Sequence, residues 1–182
     1  MQIWDTDGGR ALFRIKNAGG HVNSLALSPD GKRLAMGLDS EFDKSRVQIV
    51  STADGKVLLS IAEEPKVFAF SPDGKHVVVG GWRTGSTIRD AASGKNLLSL
   101  DAMERATYSR DGKLLAGTSA KGVAVWESDT GRKRFQWIQI GWRGIAFAPD
   151  GRHLLIGNAD GTVYVVRLRE ATAASSAGAA KQ

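Results

Sequence analysis

The sequence predicts an all-β chain of repeated four-stranded units, on the basis of two recurring turns and the apolar runs beside them. The letters SPDGK stand at residues 28–32 and again at 71–75, and weaker copies stand at 109–113 and 148–152. A spacing of about 40 residues is typical of a repeat architecture, in which each copy is one supersecondary unit. The first task is therefore to find what one unit contains.

Each copy of this first turn lies between two short apolar runs. Val22, Leu25 and Leu27 precede the first copy in an alternating pattern, and residues 34–37 follow it. Short β-rich runs around Pro-Asp-Gly are typical of hairpins. Pro fixes the φ of a turn's second position, Asp can bond its own backbone, and Gly takes the positive φ that ends the turn. Each copy therefore predicts a turn between two strands.

A second turn recurs out of phase with the first. In four places a Gly followed by Arg or Lys comes six residues after a β-branched residue. The glycines are Gly9, Gly55, Gly94 and Gly131, and the β-branched residues are Ile3, Ile49, Ile88 and Val125. The repeat is therefore predicted to be two hairpins, or four short strands.

These features together resemble the blades of the WD-repeat family of β-propellers. The unit length, the Ser-Pro-Asp-Gly-Lys turn, and the triplets at residues 3–5 (Ile-Trp-Asp) and 125–127 (Val-Trp-Glu) carry the resemblance. It implies about four four-stranded antiparallel blades in an open or incomplete ring over residues 1–169. The blade limits are 1–16 (a partial blade), 17–62, 63–101, 102–140 and 141–169. Residues 170–182 are small and polar, and we expect a disordered tail there.

The chain departs from the family pattern at several positions. The Trp-Asp pair stands only at Trp4-Asp5, and Gly20-His21 lies too close to the following strand to hold the family's usual Gly-His place. We therefore expect apolar packing between sheets in place of the family's buried polar network. Trp4, Trp126 and Trp137 are predicted packing residues.

The resemblance also predicts an unusual inventory of strands, named a to d from the innermost outwards. The chain begins with strands c and d, continues with three full blades, and ends with strands a, b and c. We interpret this as the C-terminal portion of a larger propeller. The open strands predict a homodimer, association through blade edges, or continuation in a longer parent chain, whereas a compact, sharply melting monomer contradicts the first two.

Composition limits the classes of partner. The formal net charge is +6, yet the basic residues recur just after turn glycines, where turn chemistry explains them. Aromatic residues do not alternate with these cations as in single-strand binders, apart from RKRFQW at 132–137, so a nucleic-acid partner is not favoured. The sequence has no membrane-length apolar run, and acidic Asp5 and Asp7 do not fit a signal peptide, so we expect a cytoplasmic chain without a membrane partner.

The sequence contains no recognisable catalytic, cofactor or metal motif. None of the Gly-Lys pairs precedes Ser or Thr, no Gly-x-Ser-x-Gly elbow occurs, and the chain has no cysteine. His76 and His153 share one repeat position and His21 is isolated, so we interpret the first two as residues that begin strands. We predict no catalytic residue, no cofactor and no metal.

Candidate binding residues lie where the repeats diverge, in the loops from b to c and from d to the next a. Trp and Arg are enriched among interface hot spots, and two Trp-Arg pairs occur there. The candidates are Phe42, Trp82, Arg83, Arg105, Trp142 and Arg143. Trp142 is equally compatible with a wedge between blades.

The leading functional hypothesis is a non-enzymatic scaffold that binds a protein or peptide on this loop surface. One alternative is a propeller enzyme or small-molecule binder with a pocket at the central channel, although the predicted inner strands are mostly Ala, Ser, Leu and Phe. Another alternative is a truncated fragment without independent function. Fold alone does not choose between them.

Overall fold

The computed structural model describes residues 2–14, 20–39, 45–64, 66–81, 84–138 and 141–168. The strands of these residues are β1 (Gln2–Trp4), β2 (Ala11–Arg14), β3 (His21–Leu27), β4 (Arg33–Asp39), β5 (Arg46–Ser51), β6 (Val57–Ile61), β7 (Val67–Phe70), β8 (His76–Gly81), β9 (Gly85–Asp90), β10 (Asn96–Leu100), β11 (Arg105–Tyr108), β12 (Leu114–Ser119), β13 (Gly122–Glu127), β14 (Lys133–Trp137), β15 (Trp142–Phe147), β16 (His153–Asn158) and β17 (Val163–Arg167). No helix of these described residues is long and apolar enough to cross a membrane.

The strands form antiparallel sheets in chain order. β1 and β2 form a two-stranded sheet, the three sheets β3–β6, β7–β10 and β11–β14 have four strands each, and β15–β17 form a three-stranded sheet. The all-β prediction and the unusual strand inventory are thus confirmed, and the fold is that of an open β-propeller. The blade limits stay a prediction, and the predicted tail at 170–182 lies outside the described residues.

Both predicted turns are present and join the strands as the sequence indicated. Gly74 ends the turn between β7 and β8 with a φ of 70°, and Gly94 ends the turn between β9 and β10 with a φ of 74°. Residues other than Gly strongly disfavour this left-handed region of backbone conformation. The position of the Gly therefore determines where the chain reverses direction in each hairpin. His76 and His153 each begin a strand, as predicted.

The apolar core lies between successive sheets. We call the side of a sheet that packs on the preceding sheet its upstream face and the other side its downstream face. Val77 and Val79 on the upstream face of β7–β10 pack with Ala35 and Ile49 on the downstream face of β3–β6, and all four side chains are fully buried. Equivalent clusters join β7–β10 to β11–β14 and β11–β14 to β15–β17. Alternating apolar residues on the strands therefore supply both faces of each inner sheet.

The tryptophan predictions have different outcomes. Trp126 is 4% exposed between two sheets, and Trp137 is half-buried against the core that joins the last two sheets, so both are packing residues. Trp4 is 57% exposed, so its predicted packing role is wrong. Within the described part of the chain its sheet consists of β1 and β2, without inner strands, and Ile3 is the described side chain of this sheet that packs on the upstream core of β3–β6.

Candidate interaction surface

The two ends of the sheets present different surfaces. The turns between strands a and b and between c and d emerge at one end, the turn face. The connections between b and c and between d and the next a emerge at the other end, the loop face. Innermost strands of neighbouring sheets contact each other, as β3 does β7 and β7 does β11, so each face continues from sheet to sheet.

Turn-face carboxylates are occupied by hydrogen bonds within their own turns. Ser71 Oγ donates to Asp73 Oδ1 at 2.6 Å, Lys75 N donates to the same oxygen at 3.0 Å, and His76 N donates to Ser71 Oγ at 2.9 Å. The Ser71 hydroxyl, followed by the Lys75 amide, holds the pKa of Asp73 below its usual value. These bonds stabilise the charged form of the carboxylate. The Asp73 side chain therefore serves to hold the turn together.

The same arrangement recurs in two further copies and changes in the fourth. Asp30 and Asp111 also accept from the serine two residues earlier. Ala148 takes the place of that serine in the last copy, and Asp150 there accepts from Arg152 N at 2.9 Å and contacts His153 Nδ1 at 2.6 Å. The recurrence of Asp in the sequence is thus explained by turn geometry.

The turn between β13 and β14 also satisfies its own charges. The Glu127 carboxylate contacts the Arg132 guanidinium, accepts from Thr130 Oγ1 at 2.9 Å, and accepts from Arg134 Nη1 at 3.1 Å. Hydrogen bonds from Arg132, then Thr130 and Arg134, lower the pKa of Glu127 to about 2. This carboxylate is therefore ionised throughout the neutral range.

The loop face contains a cleft of about 570 Å³ between the sheets β3–β6 and β7–β10. Its lining includes Asp39, Glu63, Glu64, Lys66 and Thr87. Asp39 accepts from Ser45 Oγ at 2.6 Å and lies 3.9 Å from Lys66 Nζ. The cleft is therefore polar and carries more carboxylates than ammonium groups.

An ion pair borders this cleft that the sequence alone did not indicate. The Arg89 guanidinium contacts the Glu63 carboxylate, with Nε 3.2 Å from Oε2, and Nη1 donates to the Gly94 carbonyl at 2.7 Å. Arg89 occupies the repeat position that Trp126 holds in the next sheet. The Arg at a position where another repeat has Trp could have indicated a special role for Arg89. Its partner Glu63 could not be predicted, because Glu63 lies in an irregular connection whose alignment with β9 does not follow from sequence spacing.

The six predicted binding residues fall into two groups. Phe42, Trp82 and Arg83 lie outside the described residues, although residues 40–44 directly follow Asp39, which lines the cleft. Arg105 begins β11 and is exposed, Trp142 begins β15, and Arg143 beside it is exposed. The structure thus places Arg105 and Arg143 at the loop-face ends of adjacent innermost strands. Their binding role stays a prediction.

Comparison with known proteins tests the family resemblance inferred from the sequence. The family described as "WD domain, G-beta repeat" matches residues 13–60 and 140–166, which cover all but the last residue of the first four-stranded sheet and of the last sheet. Over these two segments, which make up less than half of the chain, the sequence is similar to the WD-repeat family. The resemblance inferred from the turns is therefore confirmed, and WD repeats support a protein-interaction propeller in general.

Two WD-repeat relatives are similar to parts of this chain. Autophagy-related protein 18 of Meyerozyma guilliermondii is 37% identical over 75 residues, covering 38% of this chain and 13% of that relative. The periodic tryptophan protein 2 homolog of Neurospora crassa is 28% identical over 159 residues, covering 71% of this chain and 17% of the relative. The match thus spans less than a fifth of the length of either curated relative.

Proposed function

We propose that this WD-repeat chain is a non-enzymatic interaction module that binds a protein or peptide on its loop face. The observation that carries the proposal is the contrast between the two ends of the sheets. Carboxylates of the turn face, such as Asp73, are consumed by bonds within their turns. The turn face has a larger hollow of about 1000 Å³, but the carboxylates of Asp111, Glu127 and Asp150 that line it are bonded within their turns. The loop face differs from repeat to repeat, and its cleft of about 570 Å³ contains Glu64, a carboxylate without such a bond among the described residues.

The cleft favours a peptide that brings a cationic side chain. Glu63 is neutralised by Arg89, and Asp39 lies near Lys66. The Glu64 carboxylate has no side-chain hydrogen bond or ion pair within the described ranges, and it stands over Gly81. A Lys or Arg of a bound peptide gains a favourable interaction there, since partial burial between two sheets weakens the screening by water.

The non-enzymatic part of the proposal is supported by the chemistry of the perturbed carboxylates. Catalytic acids require a pKa near the working pH, which usually means a raised carboxylate pKa. Here Asp30, Asp73, Asp111 and Glu127 all have a lowered pKa, and the first or main cause is a hydrogen bond from a neighbour in the same turn. These groups stay ionised at neutral pH and act as turn-formers.

Selection of peptides on the intact chain tests this proposal. A random peptide library is panned on the immobilised chain, and the selected peptides are measured for binding to the variants Glu64→Lys and Trp82→Ala. We expect each substitution to weaken binding at least tenfold, because the first reverses the charge in the cleft and the second removes a predicted hot-spot side chain. We also expect the selected peptides to be rich in Lys or Arg.

The matched control is Lys113→Glu on the turn face, which reverses one charge outside the cleft. Lys113→Glu leaves binding within twofold of the unchanged chain if the loop face is the site. Loss of binding in Lys113→Glu with full retention in both loop-face variants would contradict the proposal. So would the failure of any peptide to bind the intact, folded chain.

A further inference from the structure

The downstream face of the last sheet is apolar and exposed. Leu155 on β16 pairs with Val165 on β17, and Val163 lies two residues from Val165, so all three side chains point to the same side. Leu155 is 37% exposed, and both valines are 64% exposed. This patch stands at the end of the row of sheets.

The same repeat positions are buried in the preceding sheet. Val123 and Val125 on β13 hold the places of Val163 and Val165, as the registers with β12 and β16 show, and both are fully buried. Leu154 and Ile156 on the upstream face of β15–β17 cover them. Residue type therefore does not explain the exposure of Val163 and Val165. They are exposed because no sheet of the described residues packs on them.

The opposite end of the row has a partly uncovered upstream face. Leu25 and Leu27 on the innermost strand β3 are 52% and 57% exposed. Phe70, which holds the place of Leu27 in the next sheet, is 9% exposed. Leu34, Met36 and Leu38 on β4 and Val50 on β5 are nevertheless buried on this face, and Ile3 of β1 packs against them, so the exposed part is the edge at β3.

We propose that the downstream face of the last sheet docks head to tail on the upstream face of β3–β6 in a second copy of this chain. Three junctions within the chain already join a downstream face to an upstream face. The uncovered downstream face and the partly covered upstream face are the two halves of a fourth such junction. Leu155, Val163 and Val165 of one copy then pack on the face of the other copy that carries Leu25, Leu27 and Met36.

In this docking the short strand β1 is displaced from the upstream face of β3–β6. β1 has three residues, and its pairing with β2 is broken by a register shift, whereas β17 pairs with β16 along five residues. A two-stranded sheet is marginal by itself, so β1 is the weaker occupant of the shared position. In the docked pair, β15–β17 takes the place of β1, with Leu155, Val163 and Val165 in place of Ile3.

Head-to-tail docking differs from a symmetric contact between identical faces. A heterologous contact joins two different surfaces. It forms a closed ring when the rotation from one chain to the next returns to the first chain, and the smallest such ring has two chains. Each surface can therefore be disabled separately. The inference concerns assembly and does not depend on binding at the loop face.

Light scattering after size exclusion on the full chain tests the proposal with three variants. Val165→Asp disables the downstream face, Leu27→Asp disables the upstream face, and Leu97→Asp is the control. Leu97 lies on β10 in the middle of the row, where it is 42% exposed and belongs to neither end face. Far-ultraviolet circular dichroism and a thermal melt establish that each variant is folded.

We expect the unchanged chain and Leu97→Asp at twice the chain mass of 19.4 kDa, with Val165→Asp and Leu27→Asp each at that single mass. An equimolar mixture of the two disabled variants restores the doubled mass, because each retains the surface that the other lacks. A monomeric unchanged chain at micromolar concentration overturns the proposal. A doubled mass that persists in Leu27→Asp overturns it as well, since the contact is then symmetric or elsewhere.

Discussion

A buried serine hydroxyl connects each of the first three turns to the strand that follows. Ser109 is 1% exposed, donates to Asp111 Oδ1 at 2.7 Å and accepts from Leu114 N at 2.9 Å. One hydroxyl therefore satisfies a carboxylate and a strand amide together. This double role explains why Ser and Asp recur two residues apart.

Replacing this hydroxyl is expected to destabilise the chain in a pH-dependent way. Ser109→Ala removes both bonds and lowers the free energy of unfolding at pH 7 by about 1 kcal/mol. The Ser109 hydroxyl is the main cause of the lowered pKa of Asp111. The stability linked to that carboxylate is present above its unfolded-state pKa of about 3.9 and is lost as the pH falls through the folded value. The difference in free energy of unfolding between Ser109→Ala and the unchanged chain therefore becomes smaller toward acid pH.

Urea unfolding at pH 7 and at about pH 3 measures this difference. Ser60→Ala is the control, because Ser60 is exposed on β6 and makes no side-chain bond with the described residues. The control should lie within about 0.5 kcal/mol of the unchanged chain at both values. A Ser109→Ala effect that grows on acidification would contradict this account of the turn.

At the scale of a strand, the position of its sheet within the row determines how much a side chain contributes to the free energy of unfolding. Val123→Ala opens a cavity between two sheets and is expected to cost roughly 2 kcal/mol. Val163→Ala changes the same residue at the same repeat position on an uncovered face, and we expect under about 1 kcal/mol there. Urea unfolding at a concentration where the chain is monomeric measures both. Equal costs would show that Val163 is covered within a single chain.

The sequence predicted hairpins well and side-chain contacts between irregular segments poorly. The turns at Gly74 and Gly94 follow from local chemistry, since only a few residues adopt their φ values. The Arg89–Glu63 ion pair joins a strand to a connection, and no periodicity places a connection residue. Trp4 shows the same limit, because its exposure depends on whether inner strands stand beside it.

At the scale of the whole molecule, the sheets form a row with two unlike ends. Among the residues that the structure describes, the first sheet is an outer hairpin and the last sheet has three strands without an outermost one. Each inner junction buries the same repeat positions, so stability accumulates from neighbour to neighbour along the chain. The loop-face cleft lies at the first such junction between four-stranded sheets, which share a buried apolar core.

Hydrogen exchange of individual backbone amides, followed by NMR, tests the open row most directly. β13 has a hydrogen-bonded neighbour on each side, whereas β17 pairs with β16 alone among the described strands. We therefore expect slow exchange along all of β13 and fast exchange at alternate residues of β17, whose outer amides face solvent. Uniform protection of β17 at the level of β13 would mean that a fourth strand completes the last sheet, which contradicts the open row.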